Sequence, residues 1–240
     1  MTEPKLLDAL AEAAVAPITS GMVVGLGTGR TASRGILALA ERVKDEGLDI
    51  QCVPTSHVTE TLARQLQLNV IDFTMVERVD YLFDGADEVD RQFRMVKGAG
   101  GAMLRERIVA HAADKRVYMI DESKLVDRLG SKGTLGVAVV AFGLASIRAH
   151  LREMGFNGVV RRTLSGELFL TDNANLIIDV TMGDWHPEEL AAVLDSIAGV
   201  VDHGLFLDEC DELFVETGAG IQHLVRPAPA GGCGSSCGCH

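Results

Sequence analysis

The feature that most constrains the fold is an alternation along residues 22–120, where short apolar runs typical of strands are separated by longer stretches with helical periodicity. When every strand is followed by a helix, the chain crosses back over the sheet and neighbouring strands run parallel. The predicted strands cover residues 22–26, 50–53, 69–71, 79–83 and 117–120, and the predicted helices cover residues 4–18, 31–46, 58–67 and 102–113. The sequence therefore predicts an α/β fold with a Rossmann-like parallel sheet flanked by helices.

The pattern changes near residues 130–133, after which the predicted strands follow one another more closely. The strands are predicted at 135–142, 159–164, 167–171 and 176–180, and two helices at 144–154 and 187–197. This order is typical of a small α+β domain with a ferredoxin-like arrangement. We expect a catalytic domain at 1–130 and 204–226, where a strand at 211–216 returns to the first sheet, an inserted α+β domain at 131–203, and a flexible Cys-rich tail at 227–240.

Composition and charge limit the class of protein. A chain of 240 residues, 47% of them hydrophobic and 23% charged, is large enough for a substantial core. The net charge of −12 argues against nucleic acid or an anionic membrane as the main partner, because both attract positive surfaces. The N-terminal residues show no signal-peptide pattern, and the apolar stretch at 135–145 is too short to cross a bilayer. We therefore expect a soluble cytoplasmic protein.

The densest group of chemically active residues lies between positions 84 and 106. The segment at 84–88 reads DGADE, the segment at 97–101 reads KGAGG, and Glu106 follows. Moving a proton between adjacent carbons of a sugar requires a carboxylate base, an oxyanion stabiliser and groups that shuttle hydroxyl protons. The two aspartates end a predicted strand, and open α/β sheets bind ligands at the carboxyl ends of their strands. This region is therefore typical of an active site.

Each part of this group also has a purely structural interpretation. Asp-Gly is a common turn, Lys97 would be a surface lysine, the glycines at 98–101 would form a flexible loop, and Glu106 would be one charge on a helix surface. The region would lack a function only if all of these structural interpretations were true at once. This requirement favours the interpretation as an active site. On a helix, Glu106 shares its face with small residues while Arg105 and Arg107 point elsewhere, so burial would make it a stronger base.

A second glycine-rich segment, GLGTGRT at residues 25–31, lies between a predicted strand and a predicted helix. Backbone N–H groups at a helix N-terminus attract anions, so a phosphate or a carboxylate would dock here unless the segment is only a structural turn. A dinucleotide fingerprint would need a glycine in place of Arg30 and an acidic residue after the next strand, and both are absent. A small phosphorylated ligand fits better than NAD or ATP.

Taken together, these motifs resemble those of ribose-5-phosphate isomerase, type A family. The matching segments lie within residues 4–226, at 27–31 (GTGRT), 55–56 (TS), 84–88, 97–101, 105–106 (RE), 121–124 (DESK) and 204–207 (GLFL). The resemblance implies interconversion of D-ribose 5-phosphate and D-ribulose 5-phosphate through an enediolate, in the non-oxidative pentose phosphate pathway and without a cofactor. It also suggests a homodimer or a dimer of dimers.

The resemblance further implies roles for individual residues. Glu106 corresponds to the proton acceptor between C1 and C2, Lys97 to a residue that stabilises the enediolate, and Asp84 to one that assists ring opening and hydroxyl proton transfer, with Asp87 beside them. The implied substrate-binding residues are Thr28, Gly29, Arg30, Thr31, Asp84, Gly85, Ala86, Asp87, Lys97, Gly98, Ala99, Gly100 and Lys124. Two positions depart from the family pattern: Arg30 replaces a serine, and Ala99 replaces a glycine. A guanidinium at position 30 would bind phosphate instead of the lost hydroxyl.

Two other functional classes remain open at this point. A phosphosugar-binding module that senses metabolites needs the anion loop but no proton-transfer pair, so Glu106 and Lys97 discriminate it from an isomerase. Deamination of a phosphosugar or hydrolysis of a lactone on a similar fold normally calls for a catalytic histidine, and none lies between His57 and His111. The isomerase is therefore the leading hypothesis, with a small phosphosugar as the expected partner.

The C-terminal tail lies outside the resemblance. Residues 227–232 are rich in Pro, Ala and Gly, as in linkers, and Cys233, Cys237, Cys239 and His240 follow. In a reducing compartment such a cluster suggests Zn²⁺ or Cu(I) more than disulfides, although its spacing matches no common zinc-finger pattern. A disordered tail without a metal is the favoured alternative. No metal is expected in the active site.

Overall fold

The computed structural model describes residues 8–227. Within them the helices are α1 Ala9–Val15, α2 Arg30–Glu46, α3 His57–Gln65, α4 Met103–Ala112, α5 Leu144–Glu153 and α6 Pro187–Asp195. The strands are β1 Val23–Leu26, β2 Gln51–Pro54, β3 Tyr81–Gly85, β4 Glu88–Val89, β5 Met95–Val96, β6 Arg116–Asp121, β7 Leu135–Val139, β8 Val159–Val160, β9 Leu176–Val180, β10 Val200–His203, β11 Leu205–Phe206, β12 Glu212–Thr217 and β13 Gly220–Val225. Short 3₁₀ helices cover Phe73–Met75, Glu122–Lys124 and Ala141–Gly143. No helix in this part of the chain has the length and apolar character needed to cross a bilayer.

The main sheet has six strands in the order β13-β12-β6-β3-β1-β2. Strands β12, β6, β3, β1 and β2 run parallel, and β13 forms an antiparallel hairpin with β12 at one edge. The strand predicted at 211–216 therefore does return to the first sheet, where it pairs with β6. These observations confirm the α/β prediction and place the carboxyl ends of five strands along the same edge of the sheet.

Helices cover both faces of the main sheet, because successive side chains of a strand point to opposite sides. On one face, Phe83 of β3 belongs to a buried cluster with Ile36 and Leu39 of α2 and with residues of α1. On the other face, Leu82 belongs to a cluster with Val109 of α4. Burial on both sides explains why β1, β3 and β6 have nearly continuous apolar sequences. It also fixes α4 against the strand that carries Asp84.

A second, antiparallel sheet has the order β10-β7-β9-β8, with α5 and α6 packed against one face. This is the smaller α+β part of the fold that the sequence predicts. From β9, Ile177 joins a buried cluster with Met103 at the beginning of α4. A third sheet, β11-β5-β4, contains the strand that leads into the glycine segment at 97–101. The second sheet therefore packs close to the predicted active site.

Two predicted strands are wrong. Residues 69–71 form only an isolated bridge, through Val70, and residues 167–171 form only isolated bridges, at Leu168 and Leu170. The side chains of Leu168 and Leu170 are 44% and 58% exposed, so this segment has β-forming residues but lacks the buried face that would extend a strand. Conversely, the sequence analysis predicts none of β4, β5, β10, β11 and β13. For β4, β5 and β11 the reason is that two residues give no periodic signal.

Candidate active site

Three loops meet at the carboxyl ends of β1, β3 and β6, which are neighbours in the main sheet. Together with the segment at 97–101 they enclose a cavity of about 300 Å³. Its lining residues are Thr28, Gly29, Arg30, Thr31, Gly85, Ala86, Asp87, Lys97, Gly98, Ala99, Gly100, Glu106, Asp121 and Lys124. This is the position at which open α/β sheets bind their ligands.

A buried group of three charged side chains, Asp84, Lys97 and Glu106, lies at the base of this cavity. The Nζ atom of Lys97 lies 3.0 Å from Oδ2 of Asp84 and 3.3 Å from Oε1 of Glu106. It also donates to the carbonyl oxygen of Gly85 at 2.5 Å. None of the three side chains is more than 5% exposed. The ammonium is thus held by three oxygen atoms in a site from which most water is excluded.

Two aromatic rings flank the same ammonium group. The Nζ atom lies 5.4 Å from the centre of the Tyr118 ring and 5.7 Å from the centre of the Phe206 ring, within the range of cation–π attraction. Sequence reasoning missed Tyr118, since a tyrosine in a buried strand carries no functional signal by itself. Phe206 lies in the segment at 204–207 that resembles the family, but the resemblance implies no role for it. Both rings restrict the position of Lys97.

Burial dominates the protonation of this group. It raises the pKa of Glu106 to about 8, and Lys97 only partly offsets the loss of water around the carboxylate. Burial also raises the pKa of Asp84 above its ordinary value. Burial disfavours the charged form of Lys97, but Asp84 and Glu106 outweigh it and raise the pKa of the ammonium. Within the described residues the Oε2 atom of Glu106 is buried without a hydrogen-bond partner, so it is free to accept a proton.

Asp84 connects this charged group to the first glycine segment. Its Oδ1 atom accepts hydrogen bonds from the backbone N–H of Thr28 at 3.1 Å and of Gly85 at 2.7 Å. A Cβ atom at position 27 would lie only 2.1 Å from that oxygen, so the close approach requires Gly27. The carboxylate therefore fixes the glycine loop with one oxygen and contacts Lys97 with the other.

A group of hydroxyls supports the same loop from below. The Oγ1 atom of Thr28 lies 2.8 Å from the hydroxyl oxygens of Thr55 and Ser56 and 3.2 Å from that of Thr59. Thr59 also donates to the carbonyl of Gly27 at 2.9 Å. None of the three supporting residues lines the cavity. The TS segment at 55–56, part of the family resemblance, thus positions the loop that carries Thr28.

Two further cations line the cavity, Arg30 and Lys124, and the charge of Lys124 also acts on Asp121 in the same lining. Arg30 begins α2, where free backbone N–H groups and the helix dipole favour an anion. Lys124 ends the 3₁₀ helix that follows β6. The cavity therefore combines cations and backbone donors, suited to an anionic group, with the buried carboxylate of Glu106.

The structure brings together residues from four separate segments of the sequence. Every predicted substrate-binding residue lines the cavity except Asp84, which lies beneath it and is fully buried. Asp121 lines the cavity as well; it belongs to the DESK segment, but the resemblance implies no role for it. The tail residues Cys233, Cys237, Cys239 and His240 lie outside the described residues. Between residues 8 and 227 no group of three or more His, Cys, Asp or Glu side chains is arranged to hold a metal ion.

The chain is similar in sequence to proteins of one family. The family model described as ribose 5-phosphate isomerase A (phosphoriboisomerase A) matches residues 51–220. The chain is 46% identical over 209 residues to ribose-5-phosphate isomerase A of Gluconobacter oxydans, which covers 86% of this chain and 90% of that protein. It is 44% identical over 220 residues to ribose-5-phosphate isomerase A of a Roseiflexus species, with 91% and 94% covered.

Solved structures show the same similarity in three dimensions. Ribose 5-phosphate isomerase A from Methanocaldococcus jannaschii superposes with a TM-score of 0.86 at 36% identity, covering 90% of this chain and 96% of that one. A D-ribose-5-phosphate isomerase in complex with phospho-erythronic acid superposes with a TM-score of 0.87 at 32% identity, covering 91% and 96%. The similarity extends over nearly the whole of each chain.

Proposed function

We propose a catalytic mechanism on the premise that the chain belongs to the ribose 5-phosphate isomerase A family. As a member, it interconverts D-ribose 5-phosphate and D-ribulose 5-phosphate, a step of the pentose phosphate pathway. The reaction moves a proton between C1 and C2 and a hydroxyl proton between the attached oxygens, through an enediolate. A module that only senses phosphosugars is not favoured, because it would not need a buried carboxylate beside a buried lysine.

The phosphate is assigned to the part of the cavity that carries Arg30 and Lys124. Both guanidinium and ammonium groups bind phosphate, and the backbone N–H groups at the start of α2 add further donors. The complex of a similar isomerase with phospho-erythronic acid, a phosphorylated acid, supports a phosphorylated ligand for this cavity. With the phosphate held there, the reacting carbons of the sugar extend toward Glu106.

Glu106 is assigned as the proton acceptor, and the unpaired Oε2 atom is the observation that carries this assignment. The carboxylate takes the proton from one carbon and returns it to the neighbouring carbon, so one residue serves both halves of the reaction. Burial supports this role, since it raises the pKa of Glu106 and so its affinity for the proton.

Lys97 and the backbone N–H groups of the segment 98–101 are assigned to stabilise the enediolate oxygen. Within this segment the N–H groups of Ala99 and Gly101 already donate to Asp87 and to the carbonyl of Gly98, so the donors for the substrate are those of Gly98 and Gly100. The ammonium is already desolvated and positioned, so little reorganisation is needed when negative charge develops. Asp87 lines the cavity and is assigned to the sugar hydroxyls. Asp84 touches Lys97 rather than the cavity, so its part in ring opening and hydroxyl proton transfer is assigned to act through that ammonium.

An isomerase assay of the purified chain with ribose 5-phosphate in the presence of EDTA tests this mechanism. We expect ribulose 5-phosphate to form at an undiminished rate, because Lys97 and the backbone amides supply the charge stabilisation. Complete loss on chelation, with recovery on adding a divalent metal, would contradict the mechanism. Binding of ribose 5-phosphate without turnover, with or without metal, would favour the sensing module.

The organisation of the molecule completes the proposal. We assign residues 131–203 to an inserted domain, because the sheet β10-β7-β9-β8 draws all of its strands from this range. We also propose a homodimer or a dimer of dimers, which the family resemblance suggests, and a cytoplasmic location. Light scattering coupled to size-exclusion chromatography tests the assembly, and a monomer at micromolar concentration would contradict it.

A further inference from the structure

One side chain of the second sheet reaches the glycine segment of the active site. Arg161 follows β8, and its Nη1 atom donates to the carbonyl oxygen of Gly98 at 2.7 Å and to that of Ala99 at 3.1 Å. Its Nε and Nη2 atoms bind the two carboxylate oxygens of Asp179 at 2.9 Å and 2.5 Å. A bidentate pair of this kind fixes the plane of the guanidinium. Arg161 therefore presents its remaining donor to the loop in a defined direction.

The surroundings restrict this arrangement further. The side chains of Arg161 and Asp179 are only 16% and 20% exposed, and the guanidinium carbon lies 5.9 Å from the centre of the Phe169 ring. The same ring packs on the end of the loop: a Cβ at Gly101, where φ is +77°, would lie 2.5 Å from it. Glycine is thus required at position 101 by both backbone conformation and space. The loop is held at two points by residues that do not line the cavity.

The orientation of the carbonyls determines the orientation of the next amide groups. In a planar trans peptide the C=O and N–H bonds point in opposite directions. With the carbonyls of Gly98 and Ala99 directed at Arg161, the following N–H groups point away from it. The N–H of Ala99 donates to Asp87, which lines the cavity, at 3.0 Å. The N–H of Gly100 has no protein acceptor within residues 8–227, and Gly100 also lines the cavity.

We propose that Arg161 is a positioning residue for the isomerisation: by anchoring the carbonyls of Gly98 and Ala99, it holds the N–H of Gly100 toward the oxygen that becomes negative in the enediolate. This inference rests on the proposed function. Because the charge on that oxygen develops only during the reaction, the donor stabilises the transition state more than the bound substrate. Arg161 accordingly affects kcat more than the affinity for ribose 5-phosphate.

The variant Arg161→Met tests the proposal, with Arg162→Met as its matched control. Arg162 is the next residue, but its guanidinium donates to the carbonyl of Gly166 at 2.6 Å and does not touch the loop. We expect Arg161→Met to lower kcat about 10-fold or more, with little change in KM, because a displaced donor loses most of its effect. The control is expected to keep both constants.

A second readout separates positioning from a general loss of structure. Phospho-erythronic acid carries a carboxylate where the enediolate carries its charge, so its inhibition constant should rise in Arg161→Met about as much as kcat falls. Arg161→Lys keeps the charge but has no planar fork to hold both Asp179 and the carbonyls, and is expected to recover only part of the loss. It also serves as the informative variant if Arg161→Met does not fold.

The outcomes are distinct. An inactive wild-type chain would overturn the proposed function and this inference with it. An active wild type with Arg161→Met or Arg161→Lys at full kcat and with unchanged affinity for phospho-erythronic acid would overturn the inference alone. Equal losses in kcat and in ribose 5-phosphate affinity, together with a lower melting temperature, would show a structural role and also overturn it.

Discussion

Glu106 and Arg107 are neighbours on α4, yet they belong to two different buried groups of charges. The Lys97 group consists of Lys97, Asp84 and Glu106. The Arg107 group consists of Arg107, Asp202 and Glu209: the Nε atom of Arg107 lies 2.7 Å from Asp202, and its Nη1 atom contacts Glu209. Each group places one cation between two carboxylates, and only the first is assigned to catalysis.

The two groups are similar in burial and in ion pairing, and they differ in the cavity that adjoins each of them. Each group leaves one buried carboxylate oxygen without a hydrogen-bond partner in the described residues, Oε2 of Glu106 and Oδ2 of Asp202. The cavity beside Glu106 contains Arg30 and Lys124, two cations that can bind a phosphate. The cavity beside Asp202 is lined by the carboxylates of Asp195, Asp202, Asp208 and Glu209, and its two arginines, Arg107 and Arg116, both form ion pairs with carboxylates. An unpaired buried carboxylate therefore indicates catalysis only where the adjoining cavity attracts the substrate.

The chemistry of the two cations fits this division. The guanidinium of Arg107 donates to both carboxylates and to the carbonyl oxygens of His203 and Leu205, at 2.7 Å and 2.8 Å. These bonds connect α4 to the segment at residues 202–209. Its guanidinium carbon lies 4.1 Å from the centre of the Phe206 ring, and the same ring flanks Lys97. The Arg107 group thus supports the Lys97 group mechanically.

Neutralising one carboxylate in each group should give the largest difference in kcat between the Lys97 group and the Arg107 group. Glu106→Gln keeps the shape of the side chain but removes its basicity, so we expect kcat to fall by about 10²-fold or more with little change in KM. The matched variant Glu209→Gln should keep most of its kcat. Steady-state kinetics on both variants checks this. A Glu106→Gln enzyme with most of its kcat would require another proton acceptor, with Asp84 or Asp87 as the first candidates.

The pH dependence of kcat/KM gives the next largest effect. The pKa of Glu106 is raised to about 8, so below this pH the Glu106 carboxylate of the free enzyme is protonated and cannot act as the base. Above this pH the carboxylate is ionised and the enzyme is active. We expect kcat/KM to rise about tenfold per pH unit below that pKa and to level off above it. Measurements above about pH 6.5 keep the substrate phosphate mostly dianionic. A profile that is flat up to pH 8 would contradict the raised pKa.

The Arg107 group should respond mainly in stability. Arg107→Met leaves Asp202 and Glu209, each 6% exposed, without their cation, so the free energy of unfolding should fall by about 3–5 kcal/mol. In protein that remains folded, kcat should fall only a few-fold. Urea denaturation followed by circular dichroism measures the first effect, and Arg107→Lys, which keeps a charge, should lose less. A large loss of kcat at unchanged stability would instead assign this group to catalysis.

Separation along the chain explains which group the sequence predicts. Asp84, Lys97 and Glu106 lie within 23 residues of one another and share motifs with a known family. The partners of Arg107 lie 95 and 102 residues away, and Arg161 reaches Gly98 across 63 residues, so no local pattern connects them. The parallel sheet is predictable for the same reason, because the alternation of strands and helices is a local signal in the sequence. By contrast, the strand predicted at 167–171 is wrong, because tertiary burial decides whether β-forming residues build a strand and this segment is exposed.

Removal of the C-terminal tail should have the smallest effect of all. Both charged groups are complete within residues 84–209, so a chain ending at Arg226 is expected to fold and to keep its isomerase activity. Such a chain retains the bond from Arg226 to the carbonyl of Leu207, which holds the end of β13. It would lose any thiolate-dependent uptake of Zn²⁺ or Cu(I) by Cys233, Cys237 and Cys239. Activity assays and equilibrium dialysis with each metal under reducing conditions measure the two effects separately. An inactive truncated chain would place part of the catalytic machinery beyond Arg226, and equal metal uptake by both chains would leave the tail cysteines without a role as ligands.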